Sequence, residues 1–374
     1  MSFDPALSQG LTELIELLSQ GELGPARARA EILLRRYPEQ PELWRLSGVC
    51  AMQQGEFDVA RRALDQALKL APQSVENWSN LASLHTAKRA FGEAERALRH
   101  ALTLSPHHAA ALNNLGSLLD ARGDYYGAAE CFSKAITQRP DYARAWVNQA
   151  AALLSVRQLG RAEASAQRAV QLTPHWADAH FVLGNVLDAA RKPGAVAAWR
   201  EAARLAPSNP QYQYQLGLGE DKEGRFAAAV RAFEACLALV PDHFAALSQL
   251  AFLHRRLCDW RALPPLSRHL IAGIDANAPG ITPFSMLVED TTPAQQLACA
   301  RTFAAQRELE VEPLQNRLGP RPHGRHDGPL RVGFVSAGFG QHPTALLIVE
   351  LIERLRTQAL HTIAYATTPD DGSA

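Results

Sequence analysis

The chain has 374 residues, of which 47% are hydrophobic and 20% are charged. This length exceeds what one hydrophobic core usually holds, so we expect two or three units, or a repeat array with a further domain. Lysine and arginine together number 38, as do aspartate and glutamate, so the net charge gives no support for binding to nucleic acid or to an anionic membrane surface.

The cysteines and the N-terminus favour a cytoplasmic protein. The cysteines are odd in number, widely spaced and without a C-x-x-C pair: Cys50, Cys131, Cys236, Cys258 and Cys299. This spacing is typical of reduced thiols and fits neither a disulfide framework nor a zinc site, so we expect no metal. The N-terminus carries acidic residues and lacks the basic start and apolar core of a signal peptide. The sequence contains no run of eighteen apolar residues, so it predicts no membrane span.

An internal repeat dominates the chain. Prolines recur at intervals of 34 residues, once 33: Pro38, Pro72, Pro106, Pro140, Pro174, Pro207 and Pro241. In the first repeats a large residue stands 28 positions before the proline and a small one follows it four positions later, as Trp78 and Ala82 do. The pattern predicts two closely packed helices per repeat, each repeat ending at its proline. Gly55, Gly123 and Gly224 are predicted to form left-handed turns between the two helices.

The order of large residue, small residue, alanine and proline resembles the tetratricopeptide repeat. The resemblance covers residues 5–256 with about seven repeats and a partial eighth helix, so we predict an α-helical superhelix over residues 1–256. The fifth repeat is one residue short around residues 191–194, which should displace its turn slightly. The resemblance implies that the inner surface, formed by the first helix of each repeat, binds extended polypeptides.

Three asparagines occupy the same repeat position, two residues after the large one: Asn80, Asn114 and Asn148. Gln215 and Gln249 hold the equivalent position in later repeats. A primary amide offers a donor and an acceptor, so it can bind one peptide bond of an extended partner whatever side chain that partner carries. The row therefore predicts a surface that binds many polypeptide sequences. The alternative is that these asparagines cap helices or bridge to their own neighbours.

Residues 257–328 are predicted to be a helical connector and not another repeat. Proline and glycine breaks separate two helical stretches at about 265–273 and 293–308. A turn-rich basic loop follows at residues 318–329. Its His323 and His326 lack a third ligand for a metal site, so we interpret this loop as a solvated linker.

Residues 329–374 predict a strand, a helix and a second, parallel strand. The apolar run in LRVGFVSAGFG is bounded by glycines, Pro343 fits the first helical position and His342 its cap. The turn GFGQHPT would lie where open α/β sheets bind ligands, yet it matches neither a P-loop nor a dinucleotide fingerprint. Two strands and one helix cannot bury their own faces. We therefore expect polypeptide after Ala374, or another chain, to complete the sheet.

With the repeats ahead of them, the segments CDWRAL, PGITPFSML, GFGQHPT and AYATTPDDG resemble the start of the catalytic region of the O-linked N-acetylglucosamine transferase family, including bacterial and SPINDLY-type members. The resemblance implies that residues 329–374 begin the first of two Rossmann-like α/β lobes. It also implies an inverting, metal-independent enzyme that transfers N-acetylglucosamine from UDP-N-acetylglucosamine to Ser or Thr of polypeptides. The UDP-sugar is then a donor substrate, and no cofactor is expected.

The resemblance implies roles for single residues. His342 matches the family's essential histidine, which either accepts the proton of the attacking hydroxyl or orients acceptor and donor. Substrate contacts are expected from its neighbours: Gly338, Gly340, Gln341, Pro343 and Thr344. The three asparagines match the family's asparagine ladder, which guides the acceptor polypeptide: Asn80, Asn114 and Asn148.

Two other functions stay open. A SPINDLY-type protein O-fucosyltransferase would share this architecture and use a GDP-sugar, and the second lobe that would identify the donor is absent from the chain. A non-catalytic peptide-binding scaffold would rely on the repeats alone.

Overall fold

The computed structural model describes residues 4–318, 331–336 and 361–366, with side chains for residues 4–309. The chain divides into two compact units, Met1–Leu314 and Gln315–Ala374. All five cysteines are free thiols. Within the described ranges, no helix is both long enough and apolar enough to cross a membrane.

The first unit is built of paired helices, and the first and second helix of each pair are here called the A and the B helix. The A helices are α1 (Pro5–Gln20), α3 (Pro41–Gln53), α5 (Val75–Ala87), α7 (Ala109–Ala121), α9 (Ala143–Ser155), α11 (Ala177–Ala189), α13 (Pro210–Lys222) and α15 (Phe244–Arg256). The B helices are α2 (Leu23–Arg36), α4 (Phe57–Leu70), α6 (Phe91–Leu104), α8 (Tyr125–Gln138), α10 (Leu159–Leu172), α12 (Ala195–Leu205), α14 (Phe226–Leu239) and α16 (Leu263–Asp275). Each A helix packs on its own B helix, and each B helix packs on the next A helix. The predicted helix pairs are confirmed.

Every repeat proline lies directly after the residue that caps a B helix. In the second pair, α4 ends at Leu70, Ala71 is its cap and Pro72 follows. The same order holds at the ends of α2, α6, α8, α10, α12 and α14. Proline has no backbone N–H and cannot continue a helix, so the predicted stops are confirmed.

The turn from A helix to B helix passes through a left-handed residue at the same position in each pair. Glycine holds this position in four pairs, with φ between 76° and 78°: Gly21, Gly55, Gly123 and Gly224. In the other four pairs a residue with a side chain adopts φ between 54° and 60°: Arg89, Arg157, Arg191 and Cys258. This backbone conformation is strained for L residues that carry a Cβ atom. Helix packing therefore imposes the turn even where the sequence lacks glycine.

Small residues let the two helices of a repeat approach closely. A Cβ atom added at Gly116 would lie 2.6 Å from the ring of Phe132, and one at Gly48 would lie 2.8 Å from Leu64. Phe132 and Leu64 are fully buried, so neither has space to move away. Four alanines in the facing B helices have no exposed surface: Ala60, Ala94, Ala128 and Ala162. The predicted close contact of A and B helices is confirmed.

The tryptophans at the large position of the repeat also form a hydrogen bond to the preceding turn. The indole N–H donates to the carbonyl of the proline six residues earlier at 2.7 Å for Trp44 and at 2.9 Å for Trp78 and Trp146. In later repeats a ring nitrogen of His180 and the amide of Gln213 take this place, at 2.8 and 3.3 Å. The bond links five of the A helices, α3, α5, α9, α11 and α13, to the turn that precedes each.

The pair α11 and α12, which contains the repeat that is one residue short, departs from the others in its B helix. α12 has 11 residues, whereas α10 has 14. Its N-terminal cap is Gly194, at φ 98°. The residue missing from this repeat thus shortens the helix as well as changing its turn.

The connector continues the packing of the array. After α16 come a 3-10 helix, Pro283–Val288, and α17 (Pro293–Leu318). A buried cluster joins them to α15 through Leu247, Leu270, Ile281, Met286 and Cys299. The two predicted connector helices are present, and α17 extends to Leu318. The sequence predicted a partial eighth helix, whereas α16 packs on α15 as a B helix because its apolar side bears Leu270 and Ile274.

The described residues of the second unit form two strands, β1 (Arg331–Ser336) and β2 (His361–Ala366). They pair in parallel, with Arg331 opposite His361 and Ser336 opposite Ala366. Both predicted strands are therefore present. The helix predicted between them falls in residues 337–360, which lie outside the described residues.

Candidate functional site

The A helices form a continuous layer, because each contacts the next A helix from α1 to α11. Asn80, Asn114 and Asn148 lie at the same position of three successive members, α5, α7 and α9, and all three are half-buried. We call the side of the layer that carries them the inner surface. The repeat itself thus places the three amides in a row.

Two of the three amides bond to a neighbouring A helix. Asn148 donates from Nδ2 to Oδ1 of Asn113 at 3.1 Å, and Asn114 donates to Oγ of Ser83 at 3.4 Å. Nδ2 of Asn80 is buried and has no hydrogen-bond partner among the described residues. The two bonds match the alternative in which these asparagines bridge neighbouring repeats.

The bridging bonds use a small part of the hydrogen-bonding capacity of the three amides. Each amide has two N–H donors and an oxygen with two lone pairs. The side-chain oxygens of Asn80, Asn114 and Asn148 accept no hydrogen bond from the described residues, and each amide donates at most one. The row can therefore bind peptide groups while the bridges stay in place.

A polar groove of about 230 Å³ lies along this row, between α5, α7 and α9. Its lining comes from three A helices and one B helix: Ser83, Thr86, Leu98, Asn113, Asn114, Ser117, Arg144 and Asn148. Arg144 is exposed and supplies a positive charge. Burial raises the pKa of the Asp120 carboxyl, three residues after Ser117 on α7. The groove thus presents more hydroxyl and amide groups than charged groups to a ligand.

A second set of polar residues, not predicted from the sequence, lies next to the row of amides. Ser79, Asn113 and Ser248 each immediately precede a ladder position, on α5, α7 and α15. The hydroxyls of Ser79 and Ser248 are buried and have no hydrogen-bond partner among the described residues. The repeat spacing that identifies the row of amides also identifies these polar residues, one position earlier in the repeat.

The row of amides is not continuous along the array. At the equivalent position of α11 stands Val182, which packs against the buried cluster of Val147, Ala169 and Ala179. The row resumes with Gln215 on α13 and Gln249 on α15, and neither amide bonds to a described residue. Two polar stretches of the inner surface are therefore separated by an apolar one.

The predicted catalytic and substrate-binding residues lie outside the described residues: Gly338, Gly340, Gln341, His342, Pro343 and Thr344. The chain enters this segment directly from β1, which ends at Ser336. Their roles stay predictions.

Comparison with known proteins supports the helical repeats. The model of the tetratricopeptide repeat matches residues 11–75, 79–143 and 115–175. No curated protein matches the chain.

One solved structure shares the fold of the array over most of its length. The crystal structure of the APC/C hetero-tetramer Cut9-Hcn1 is similar at 18% identity with a TM-score of 0.56, over 64% of this chain and 48% of that one. The chain thus spans about half the length of that relative. The MamA RS-1 ArsTM double mutant matches at 23% identity with a TM-score of 0.40, over 44% of this chain and 93% of that one. The paired helices and the family match together show that the chain contains tetratricopeptide repeats.

Proposed function

We propose that the inner surface binds extended polypeptides through the amide row. The observation that carries the proposal is the position of Asn80, Asn114 and Asn148 on three successive A helices, each with hydrogen-bonding capacity left over. An extended backbone presents N–H and C=O groups in regular alternation, which a primary amide can match with its own donor and acceptor. Because these contacts reach the backbone, the surface accepts many sequences.

A titration with a fluorescent, unstructured Ser/Thr-rich polypeptide tests this binding. We expect changing all three asparagines to Ala to weaken binding at least tenfold, because several hydrogen bonds of about 1 kcal/mol each are lost. The matched control changes three exposed glutamines of the array to Ala: Gln73, Gln138 and Gln171. Unchanged affinity in the asparagine variant, or an equal loss in the glutamine variant, would refute the proposal.

The bound polypeptides are acceptors for O-glycosylation in this proposal. Support comes from the resemblance of GFGQHPT to the O-linked N-acetylglucosamine transferase family and from β1, which runs directly toward it and pairs in parallel with β2. A Ser or Thr oxygen of the acceptor bonds to the anomeric carbon of the sugar, and the nucleoside diphosphate leaves. His342 accepts the hydroxyl proton or orients the two substrates.

The transfer of radiolabelled N-acetylglucosamine from UDP-N-acetylglucosamine to polypeptide tests the catalytic part in the full-length enzyme. His342→Ala should reduce turnover by about 10²-fold or more, since general-base help contributes 10² to 10⁴, while donor binding stays nearly intact. GDP-fucose as donor distinguishes the SPINDLY-type alternative. If polypeptide binds but no sugar is transferred from either donor, the catalytic proposal is refuted. The function that remains is then the non-catalytic peptide-binding scaffold.

A further inference from the structure

A second cavity of about 410 Å³ lies where the array meets the connector. It is bounded by α13, α15, α16 and the 3-10 helix, and most of its lining is apolar: Tyr214, Phe252, Leu270, Phe284, Leu287 and Val288. This volume lies in the range of cavities that bind small ligands or single side chains. The cavity therefore has the size and the surface for an apolar group.

The mouth of the cavity carries large apolar side chains that remain exposed. Phe252 is 42% exposed, Leu287 66% and Phe284 74%. Contiguous exposed apolar residues of this kind mark binding surfaces more often than single ones do. Phe252 comes from α15 and the other two from the 3-10 helix, so the surface combines the array with the connector.

Unpartnered polar groups adjoin the apolar lining. Ser248 is 6% exposed, lines the cavity, and its hydroxyl has no hydrogen-bond partner among the described residues. Gln249 also lines the cavity. A buried hydroxyl without a partner destabilises a fold, so it is best explained by a ligand that supplies the missing bond.

The cavity lies on the same face as the polar groove. On α15 the three lining positions equivalent to Asn113, Asn114 and Ser117 of α7 hold Ser248, Gln249 and Phe252. The two sites thus use the same repeat positions, four helix pairs apart. The inner surface carries an amide at both sites, and at α15 an apolar cavity lies beside it.

We propose that this cavity binds a bulky apolar side chain, such as phenylalanine or leucine, of an extended polypeptide whose backbone follows the amide row. The proposal rests on the proposed polypeptide binding and adds a preference to it. Ser248 and Gln249 form hydrogen bonds to the peptide groups on either side of the anchored side chain. Other peptide-binding proteins likewise combine hydrogen bonds to the peptide backbone with a pocket for a side chain. In the cavity wall, Arg255 and Glu289 bond to each other at 2.6 Å, so their charges neutralise each other and do not select a charged residue.

Two labelled peptides, titrated into the full chain, test the preference. Both are unstructured and rich in Ser, Thr and Gly, and they differ only in one central residue, Phe or Ser. We expect the Phe peptide to bind at least tenfold more tightly. Equal affinities would overturn the cavity proposal and leave the amide row standing, whereas no binding of either peptide would overturn both.

Single substitutions distinguish a loss of peptide affinity from a loss of fold stability. Leu287→Asp should abolish the preference for the Phe peptide, and Ile32→Asp, an equally exposed apolar position on α2, should keep it. Ser248→Ala should weaken the Phe peptide about fivefold, as expected for one lost hydrogen bond. The same variant should leave the Tm unchanged or higher, because it removes an unpaired buried group. A lower Tm with unchanged affinity would overturn the binding role.

A photo-crosslinking side chain at Leu287 identifies what covers the cavity. Crosslinks to the Phe peptide support the proposal. Crosslinks that persist to a second copy of the chain, or to another segment of the same chain, in excess peptide would overturn it.

Discussion

The amide of Asn148 donates to Oδ1 of Asn113 at 3.1 Å and so joins α9 to α7 across a repeat boundary. Asn113 is 3% exposed, so this bond satisfies a buried acceptor. Asn80 differs, because its Nδ2 is buried without a partner among the described residues. Members of one row thus contribute unequally to stability although they hold the same repeat position.

This difference predicts opposite effects of two similar substitutions. Asn148→Ala should lower the free energy of unfolding by about 1–2 kcal/mol, because it leaves the buried oxygen of Asn113 unpaired. Asn80→Ala should leave it unchanged or raise it, because an unpaired buried donor is removed. Urea denaturation measures both. If both variants lost equal stability, the assignment of structural and free amides would be wrong.

The indole of Trp146 donates to the carbonyl of Pro140 at 2.9 Å. Trp146→Phe keeps most of the apolar surface and removes this bond, so we expect a loss of about 0.5–1.5 kcal/mol. Trp260→Phe is the control, because Trp260 is 62% exposed. Thermal unfolding compares the two, and an equal response would show that the indole N–H has no structural role.

Left-handed turns without glycine predict a stabilising substitution. Arg157 has φ 60°, and Gly55 holds the equivalent position with φ 77° and no atom near its missing Cβ. Arg157→Gly should raise stability by about 0.5–1 kcal/mol, since the release of strain exceeds the entropy that glycine adds to the unfolded chain. Gly55→Arg should lower stability by a similar amount. Tm values that move in the same direction in both variants would contradict this account of the turn.

Glu220 predicts a pH dependence. It is 2% exposed on α13 and bonds to Arg225 and, at 2.6 Å, to Arg200. Burial raises the pKa of this carboxyl, but the hydrogen bonds from Arg225 and Arg200 outweigh burial and hold the pKa below its ordinary value of 4.5. A lowered folded-state pKa stabilises the protein above pH 4.5, and this contribution is lost as the pH falls through the folded-state pKa.

Glu220→Gln should therefore destabilise the protein at pH 7 by about 1.5–3 kcal/mol, the range for hydrogen bonds to charged groups. The difference from the unmodified protein should shrink as the pH falls below 4.5. Denaturation midpoints between pH 7 and pH 3 measure this, with the exposed Glu234→Gln as control. A difference that stayed constant with pH would show that the charge of Glu220 does not contribute.

The repeat made much of the array predictable, because proline stops and small residues act through local geometry that spacing alone reveals. The ladder was predictable for the same reason, since Asn80, Asn114 and Asn148 share one position. The left-handed turn at Arg157 could not be predicted from the sequence, because helix packing imposes a backbone conformation that arginine does not favour. The cavity could not be predicted either, because it joins α15 to Leu287, far along the chain, through tertiary packing.

If the amides of the row contact the backbone of a bound polypeptide, the side-chain NH₂ resonances of these asparagines change on binding. Spectra of protein labelled with ¹⁵N-asparagine, assigned by single substitutions, are recorded during titration with the Ser/Thr-rich polypeptide. We predict that the NH₂ signals of Asn80, Asn114 and Asn148 shift in saturable fashion, with a common affinity, while that of Asn77, which is buried and donates to the carbonyls of Ala67 and Ala71, stays in place. Saturable binding that leaves the three ladder signals unmoved would contradict the account.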